Sequence, residues 1–170
     1  MEVKAFDLKV LPDERGFFVE LLRQDWKELT GDDWIVQVNL SYSYPDAVRA
    51  WHRHRRGQVD YFIVLKGAMK ICAYDDMEES PTKGNLKEMF VCEDRLQLIK
   101  IPGYYWHGTK TLGHKPSLTA YFVTKLYDYQ TPDEERRPWD DPSFVPKLIN
   151  GNPNDPRSNK PWDWFYPAHK

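Results

Sequence analysis

Residues 59–74, Val-Asp-Tyr-Phe-Ile-Val-Leu-Lys-Gly-Ala-Met-Lys-Ile-Cys-Ala-Tyr, hold two strongly β-forming runs divided by Gly67. Val59 to Leu65 is β-branched and aromatic, Ala68 to Tyr74 continues in that character, and the glycine between them suits a reversal. The stretch predicts two successive strands. Downstream, Leu86 to Cys92 and Leu96 to Ile101 predict two more, joined at Glu93-Asp94, and Ser117 to Lys125 another. Upstream, Trp34 to Ser41 carries Ile35, Val36, Val38 and Leu40, and Phe17 to Leu22 has strand character. Val3 to Leu11 alternates apolar and polar residues, as an edge strand does. Pro12 to Gly16 is a turn, Asp75 to Asn85 a loop marked by Pro81 and Gly84, and Arg23 to Leu29 the best short helix. Strands recurring roughly every 8–12 residues between turn residues predict an all-β sandwich or barrel.

After Tyr129 the pattern changes. Prolines recur through residues 131–170, which excludes long helices and central strands. Trp139, Trp162, Trp164, Phe165 and Tyr166 predict that this irregular arm packs on the β-core, since a solvated tail would not need them. The expected organisation is one domain over residues 1–170, with N-terminal strands in 1–34, a core over about 35–130 and a C-terminal arm over 131–170.

The chain has 170 residues, enough for one domain that builds a core without staples. Its net charge of −2 argues against nucleic-acid or anionic-membrane partners. No apolar run approaches the roughly 20 residues of a membrane helix, and Met1 to Asp7 lacks the apolar run of a secretory signal. Cys72 and Cys92 lack CxxC spacing and read as two core residues in a reducing, cytoplasmic compartment. Aromatic residues make up 15% of the chain; they favour strands, and they also suit an aromatic-walled pocket.

The chemistry-bearing residues cluster around five scarce histidines. His52 and His54 stand two apart, so on a strand they point to one face and can share a ligand, a metal or a proton. Asp60 follows, and His107 comes after Ile101-Pro102-Gly103. Arg49 precedes His52. Arg53, Arg55 and Arg56 make either a solvated charged loop or a phosphate-binding patch. Trp51 and Trp106 flank the two histidines and wall the pocket or the core beneath it.

The spacing His52-x-His54, Asp60, Gly67, then Pro102 and His107, resembles the two motifs of the cupin jelly roll, a double-stranded β-helix. A longer ordered series is more specific: Asp13-Glu-Arg15-Gly16-Phe17-Phe18-Val-Glu20, Gln37-Val-Asn39-Leu-Ser41, Arg49-Ala-Trp-His52, Ser80-Pro81-Thr82-Lys-Gly84, Ile101-Pro102-Gly-Tyr-Tyr-Trp-His107-Gly108, Tyr127 and Trp139-Asp-Asp141. Over about residues 5 to 150 it is similar to the dTDP-4-dehydrorhamnose 3,5-epimerase family of the cupin superfamily.

The resemblance implies an isomerase acting on a nucleotide-linked 4-keto-6-deoxy sugar, with no cofactor. His52 matches the base that removes the acidic proton beside the ketone, and Tyr127 the acid that returns one, with Tyr129 as its close neighbour. Arg49 and His107 match residues around the sugar and its oxyanion. Arg15, Glu20, Gln37 and Asn39 match positions that hold the nucleotide and sugar. The resemblance further implies a homodimer in which an N-terminal strand, Val3 to Leu11, crosses to the partner.

The chain departs from the family pattern at Asp60, where the resemblance places an enolate-stabilising lysine, and at His54. Asp163 corresponds only in region to an aspartate that supports the base. These departures keep two alternatives open. One is a metal-dependent cupin, a dioxygenase or small-molecule binder, using His52, His54, Asp60 and His107 for iron, manganese, nickel or zinc. The other is a nucleotide-sugar 3,4-ketoisomerase, which the His-x-His pair with Gln58 also resembles.

Overall fold

The structure, a computed structural model, describes residues 1–167. The predicted pair of strands is present as β6 (Val59–Lys66) and β7 (Ala68–Tyr74), turned at Gly67. A Cβ at Gly67, whose φ is +78°, would meet the Pro116 carbonyl oxygen at 2.6 Å, so both its conformation and its neighbour require glycine. The other elements are β1 (Lys4–Asp7), β2 (Val10–Asp13), β3 (Gly16–Val19), α1 (Lys27–Thr30), β4 (Gln37–Ser43) and β5 (Val48–Arg53). They are followed by β8 (Asn85–Cys92), β9 (Gln97–Pro102), β10 (Trp106–Leu112), β11 (Ser117–Val123), β12 (Glu135–Arg136) and β13 (Leu148–Ile149).

Two sheets face each other in the jelly-roll arrangement. One runs β1-β9-β6-β11-β4, the other β12-β5-β10-β7-β8-β13, and β2-β3 stand apart as a hairpin. Side chains alternate along β6 and β7, so Phe62, Val64, Met69 and Ile71 meet between the sheets with Met89, Val91, Ile99 and Ile101. The opposite faces are covered as well. Tyr61 and Ile63 pack under Leu29 and Trp26 of the N-terminal segment. Trp51, Cys72 and Trp106 pack under Phe144, Trp162 and Trp164 of the C-terminal arm. Both faces of the central strands are therefore buried, which is why residues 59–65 read as a nearly unbroken apolar run.

The arm is irregular, as expected, and is pinned by buried charge. Arg157 forks both nitrogens onto the Glu88 carboxylate at 2.9 Å, and Lys70 lies 3.8 Å from the same group. Residues 168–170 of the expected arm lie outside the described residues. Among the described residues no helix is long and apolar enough to cross a membrane.

Several boundaries differ from expectation. Val3 to Leu11 is not one strand: Lys4–Asp7 pairs with β9 of its own chain, whereas Val10–Asp13 belongs to the hairpin. The free N-terminal element is thus the hairpin Val10–Val19. The helix is a single turn at Lys27–Thr30 rather than Arg23 to Leu29, because Trp26 begins it without a side-chain cap. β10 carries Gly108 and four polar residues in seven, so its sequence has no alternation to announce it. It is nevertheless buried along most of its length, between the histidine cavity and the aromatic cluster.

Candidate active site

A cavity of about 750 Å³ opens at one end of the two sheets. Its walls follow from strand periodicity. β4 turns Gln37, Asn39 and Ser41 inward and Val38, Leu40 and Tyr42 outward. β11 supplies Thr119, Tyr121 and Val123, β5 supplies Arg49 and His52, and β6 supplies Asp60 and Phe62.

The three predicted histidines converge. His107 of β10 lies opposite His52 of β5 in the ladder, with ring centroids 4.1 Å apart. His54 is 5.7 Å from His107 and 6.1 Å from His52 by the same measure. Two glycines permit this closeness. A Cβ at Gly108, where the β5–β10 register shifts, would lie 2.9 Å from the Ala50 Cα. A Cβ at Gly103 would lie 2.8 Å from the His54 Cβ and 2.5 Å from the Gln58 carbonyl oxygen. The Gly103 backbone instead clamps this segment, accepting from His54 N–H at 2.6 Å and donating to Gln58 at 2.8 Å.

Burial sets the electrostatics. Burial and the neighbouring His107 push the His52 pKa well down, so His52 is neutral near pH 7 and available to accept a proton. Burial also opposes charge on His54, but Asp60 outweighs it and the His54 pKa is raised. Burial alone would raise Asp60, yet the His107 and His54 rings beside it hold the carboxyl below its usual range. Burial and the Asp60 charge push the Tyr121 phenol up, so it stays protonated. Among the described residues Arg49 hydrogen-bonds only neutral oxygens, Ser43 Oγ at 3.0 Å and Tyr42 O at 3.3 Å, which leaves its charge for a ligand.

His52, Tyr127, Gln37, Asn39 and Arg49 line the one cavity, and His107 lies buried behind His52. Gln37 Oε1 accepts from the Tyr127 backbone N–H at 3.0 Å, tying β4 to the segment after β11. Tyr129 stacks edge-on against Tyr127, is largely exposed and does not line the cavity. Arg15 and Glu20 lie elsewhere. Arg15 sits at the tip of the exposed hairpin, paired with Asp13 at 2.6 Å. Glu20 pairs with Arg23 at 2.8 Å and lines a separate groove beside Trp26. Asp163 accepts from Phe165 N–H within its own turn and does not line the cavity. Trp51 and Trp106 belong to the aromatic cluster behind β5 and β10.

Tyr121 is a lining phenol that sequence reasoning missed. The alternation of Thr119, Tyr121 and Val123 within the predicted Ser117–Lys125 strand was the available signal. Gln58, named in the sequence only with the ketoisomerase alternative, joins this cluster: its amide nitrogen reaches Asp60 Oδ1 at 2.7 Å and His54 Nε2 at 3.1 Å.

Comparison with known proteins finds relatives of this sequence and fold. The profile of dTDP-4-dehydrorhamnose 3,5-epimerase matches residues 1–159. The probable low-salt glycan biosynthesis epimerase Agl13 of Haloferax volcanii is 46% identical over 142 residues, covering 82% of this chain and 88% of that protein. The spore coat polysaccharide biosynthesis protein SpsL of Bacillus subtilis is 38% identical over 139 residues, covering 82% and 89%. The dTDP-6-deoxy-D-glucose-3,5-epimerase RmlC of Legionella pneumophila, solved in complex with dTDP-4-keto-L-rhamnose, superposes with a TM-score of 0.76 at 29% identity, covering 84% of this chain and 76% of that one. With the jelly-roll sheets and the profile running over nearly the whole length, the chain belongs to the dTDP-4-dehydrorhamnose 3,5-epimerase family of isomerases.

Proposed function

We propose that the protein epimerises a nucleotide-linked 4-keto-6-deoxy sugar by proton removal and return beside the ketone. The observation that carries this reading is His52: a half-buried imidazole kept neutral at the wall of a cavity that also holds Arg49 and two phenols. A neutral imidazole takes the proton from the carbon next to the carbonyl. The charge that develops on the ketone oxygen is stabilised by fixed cations, for which Arg49 is available. Tyr127 returns a proton to the opposite face of the sugar carbon, and Gln37 and Asn39 hold the ligand from β4. Lys125 and Arg136 at the cavity wall suit the diphosphate.

The protein acts as a homodimer in this reading. β4 is an edge strand, and its outward residues Val38, Leu40 and Tyr42 are exposed beside Tyr44, which is a pairing surface rather than a solvated face. The hairpin exposes Phe17 and Phe18, and its tip carries Arg15. In a partner's cavity Arg15 would regain the ligand-binding place the sequence pattern assigns it.

Incubation with a dTDP-4-keto-6-deoxyhexose in D₂O tests the reading. Deuterium should enter C3 and C5 with inversion. Carbonyl migration with C5 unlabelled would assign a 3,4-ketoisomerase instead, and no label at any carbon would end the isomerase reading for this substrate.

A further inference from the structure

β11 ends at Val123 in one sheet and β12 begins at Glu135 on the edge of the other, so the residues between them bridge the two sheets. Residues 125–134 do so as an irregular strap, and Lys125, Leu126, Tyr127, Asp128, Asp133 and Glu134 of it line the cavity. A segment outside the ladders is held in place by individual hydrogen bonds. Asp128 fastens the strap to itself, its carboxylate accepting from Gln130 N–H at 2.9 Å, Thr131 N–H at 3.0 Å and the Thr131 hydroxyl at 2.6 Å. On the β4 side, Tyr127 N–H donates to Gln37 Oε1 at 3.0 Å. On the β5 side the fastening is Asp133. Its Oδ1 accepts from Arg55 N–H at 3.0 Å and its Oδ2 from Arg56 N–H at 2.9 Å. Its backbone carbonyl accepts from His54 Nδ1–H at 3.0 Å. The Arg56 guanidinium crosses the same joint to the Thr131 carbonyl. Three successive residues of the turn between β5 and β6 thus meet one aspartate, and the Gly103 backbone clamps that turn from beneath at His54 and Gln58.

We propose that Asp133 is a positioning residue for the proton-transfer site: it latches the strap that carries Tyr127 onto the turn that carries His54. The carboxylate is suited to the task, because an ionised oxygen accepting from backbone N–H makes a stronger bond than a neutral one. The neighbouring Glu135 does a different job. It accepts from the Arg53 and Arg55 guanidinium groups at 2.7 Å each and holds β12 beside β5, where Arg136 stands opposite His52. Glu135 therefore fixes the strand after the strap, and Asp133 fixes the strap itself. With Asp133 fastened, Tyr127 and His52 belong to one rigid wall. With it released, the strap keeps its own Asp128 turn but swings from the β11 end, and the phenol loses its place relative to the imidazole. A misplacement of about 1 Å can cost roughly 10²-fold in rate, because proton transfer depends on a near-attack geometry. The effect on turnover rests on the epimerase reading; the latch does not.

The test compares the full-length protein with Asp133→Ala and Asp133→Asn. Amide hydrogen exchange, followed by mass spectrometry of peptides covering residues 53–58 and 124–134, reads the latch without any substrate. Asp133→Ala should speed exchange in both peptides and leave β7 and β8 as they were. Asp133→Asn should restore most of the protection, since its amide oxygen still accepts from Arg55 and Arg56 N–H. Unchanged exchange in Asp133→Ala, or faster exchange spread over the whole molecule, overturns the latch. Turnover of a dTDP-4-keto-6-deoxyhexose reads the positioning role. Asp133→Ala should lower kcat about 10–100-fold with KM little changed, because Arg49, Gln37 and Asn39 stay in place, and Asp133→Asn should recover most of the rate. A normal kcat beside a loosened strap refutes the positioning role, and a loss confined to KM assigns Asp133 to ligand binding instead. A wild-type protein inert toward this substrate ends the epimerase reading, and hydrogen exchange then decides the latch alone.

Discussion

Glu88 and Asp60 are carboxylates only 6% and 2% exposed, and they are compensated in opposite ways. Glu88 lies under the C-terminal arm with two basic side chains of the chain itself, Arg157 in a two-pronged pair and Lys70 nearby. Its charge is settled by the chain itself, as suits a group that only ties an arm to a sheet. Asp60 lies at the cavity beside two imidazoles, whose charge depends on a proton taken from outside. One sheet region is thus electrostatically closed and the other left open, and the open one coincides with the concave end of the fold.

The largest effect should come from the open region. His52→Ala is expected to slow C3 and C5 deuterium exchange by roughly 10²–10⁴-fold, with the melting temperature little changed. A near-normal rate would remove His52 from proton transfer and move the search to Tyr121 and Tyr127.

The closed region should respond in stability instead. Arg157→Ala leaves Glu88 buried with only a distant lysine, at a cost of about 3 kcal/mol, read from the denaturation midpoint. The exchange rate per folded molecule should be unchanged. A large catalytic loss in this variant would show that the two regions are coupled through the sheet.

Tyr127→Phe and Tyr121→Phe sharpen the view within the cavity. Removing the proton donor should cost about 10²-fold in turnover with little change in KM. The expected residue is Tyr127. A larger loss at Tyr121 would transfer the acid role to the phenol that burial and Asp60 keep protonated.

Gly103→Ala is the mildest disturbance. The new methyl must displace the His54 Cβ or the Gln58 carbonyl, at about 1–3 kcal/mol for overpacking. Its signature should be slower deuterium exchange, whereas Gly113→Ala, with nothing within 4 Å, should show only backbone strain. Equal behaviour of the two would mean that the position of His54 does not matter.

Legibility varied with how local each feature is. The β6–β7 pair was readable because a two-residue period and a turn glycine are written in consecutive residues. Gln37 and Asn39 were readable from the ordered motifs instead, because alternation alone would turn the apolar Val38 and Leu40 inward, whereas they are exposed. β10 was not, because its residues answer to two different surroundings, a polar cavity and an aromatic cluster, and so obey no single alternation. Arg15 and Glu20 carried the right residue types in the right order, yet within one chain they stand outside the cavity.

The sequence by itself determined the β-rich class, the punctuated C-terminal arm and the residue types available for proton transfer, since each follows from local pattern and side-chain chemistry. Only the tertiary structure decided that His52, His54, His107 and Asp60 share one buried space, and which ring nitrogens point into it. That decision depends on ladder register between β5 and β10, on the Gly103 clamp and on two carbonyls that fix the imidazole protons. All of these arise between residues far apart in the chain, where no local pattern can record them.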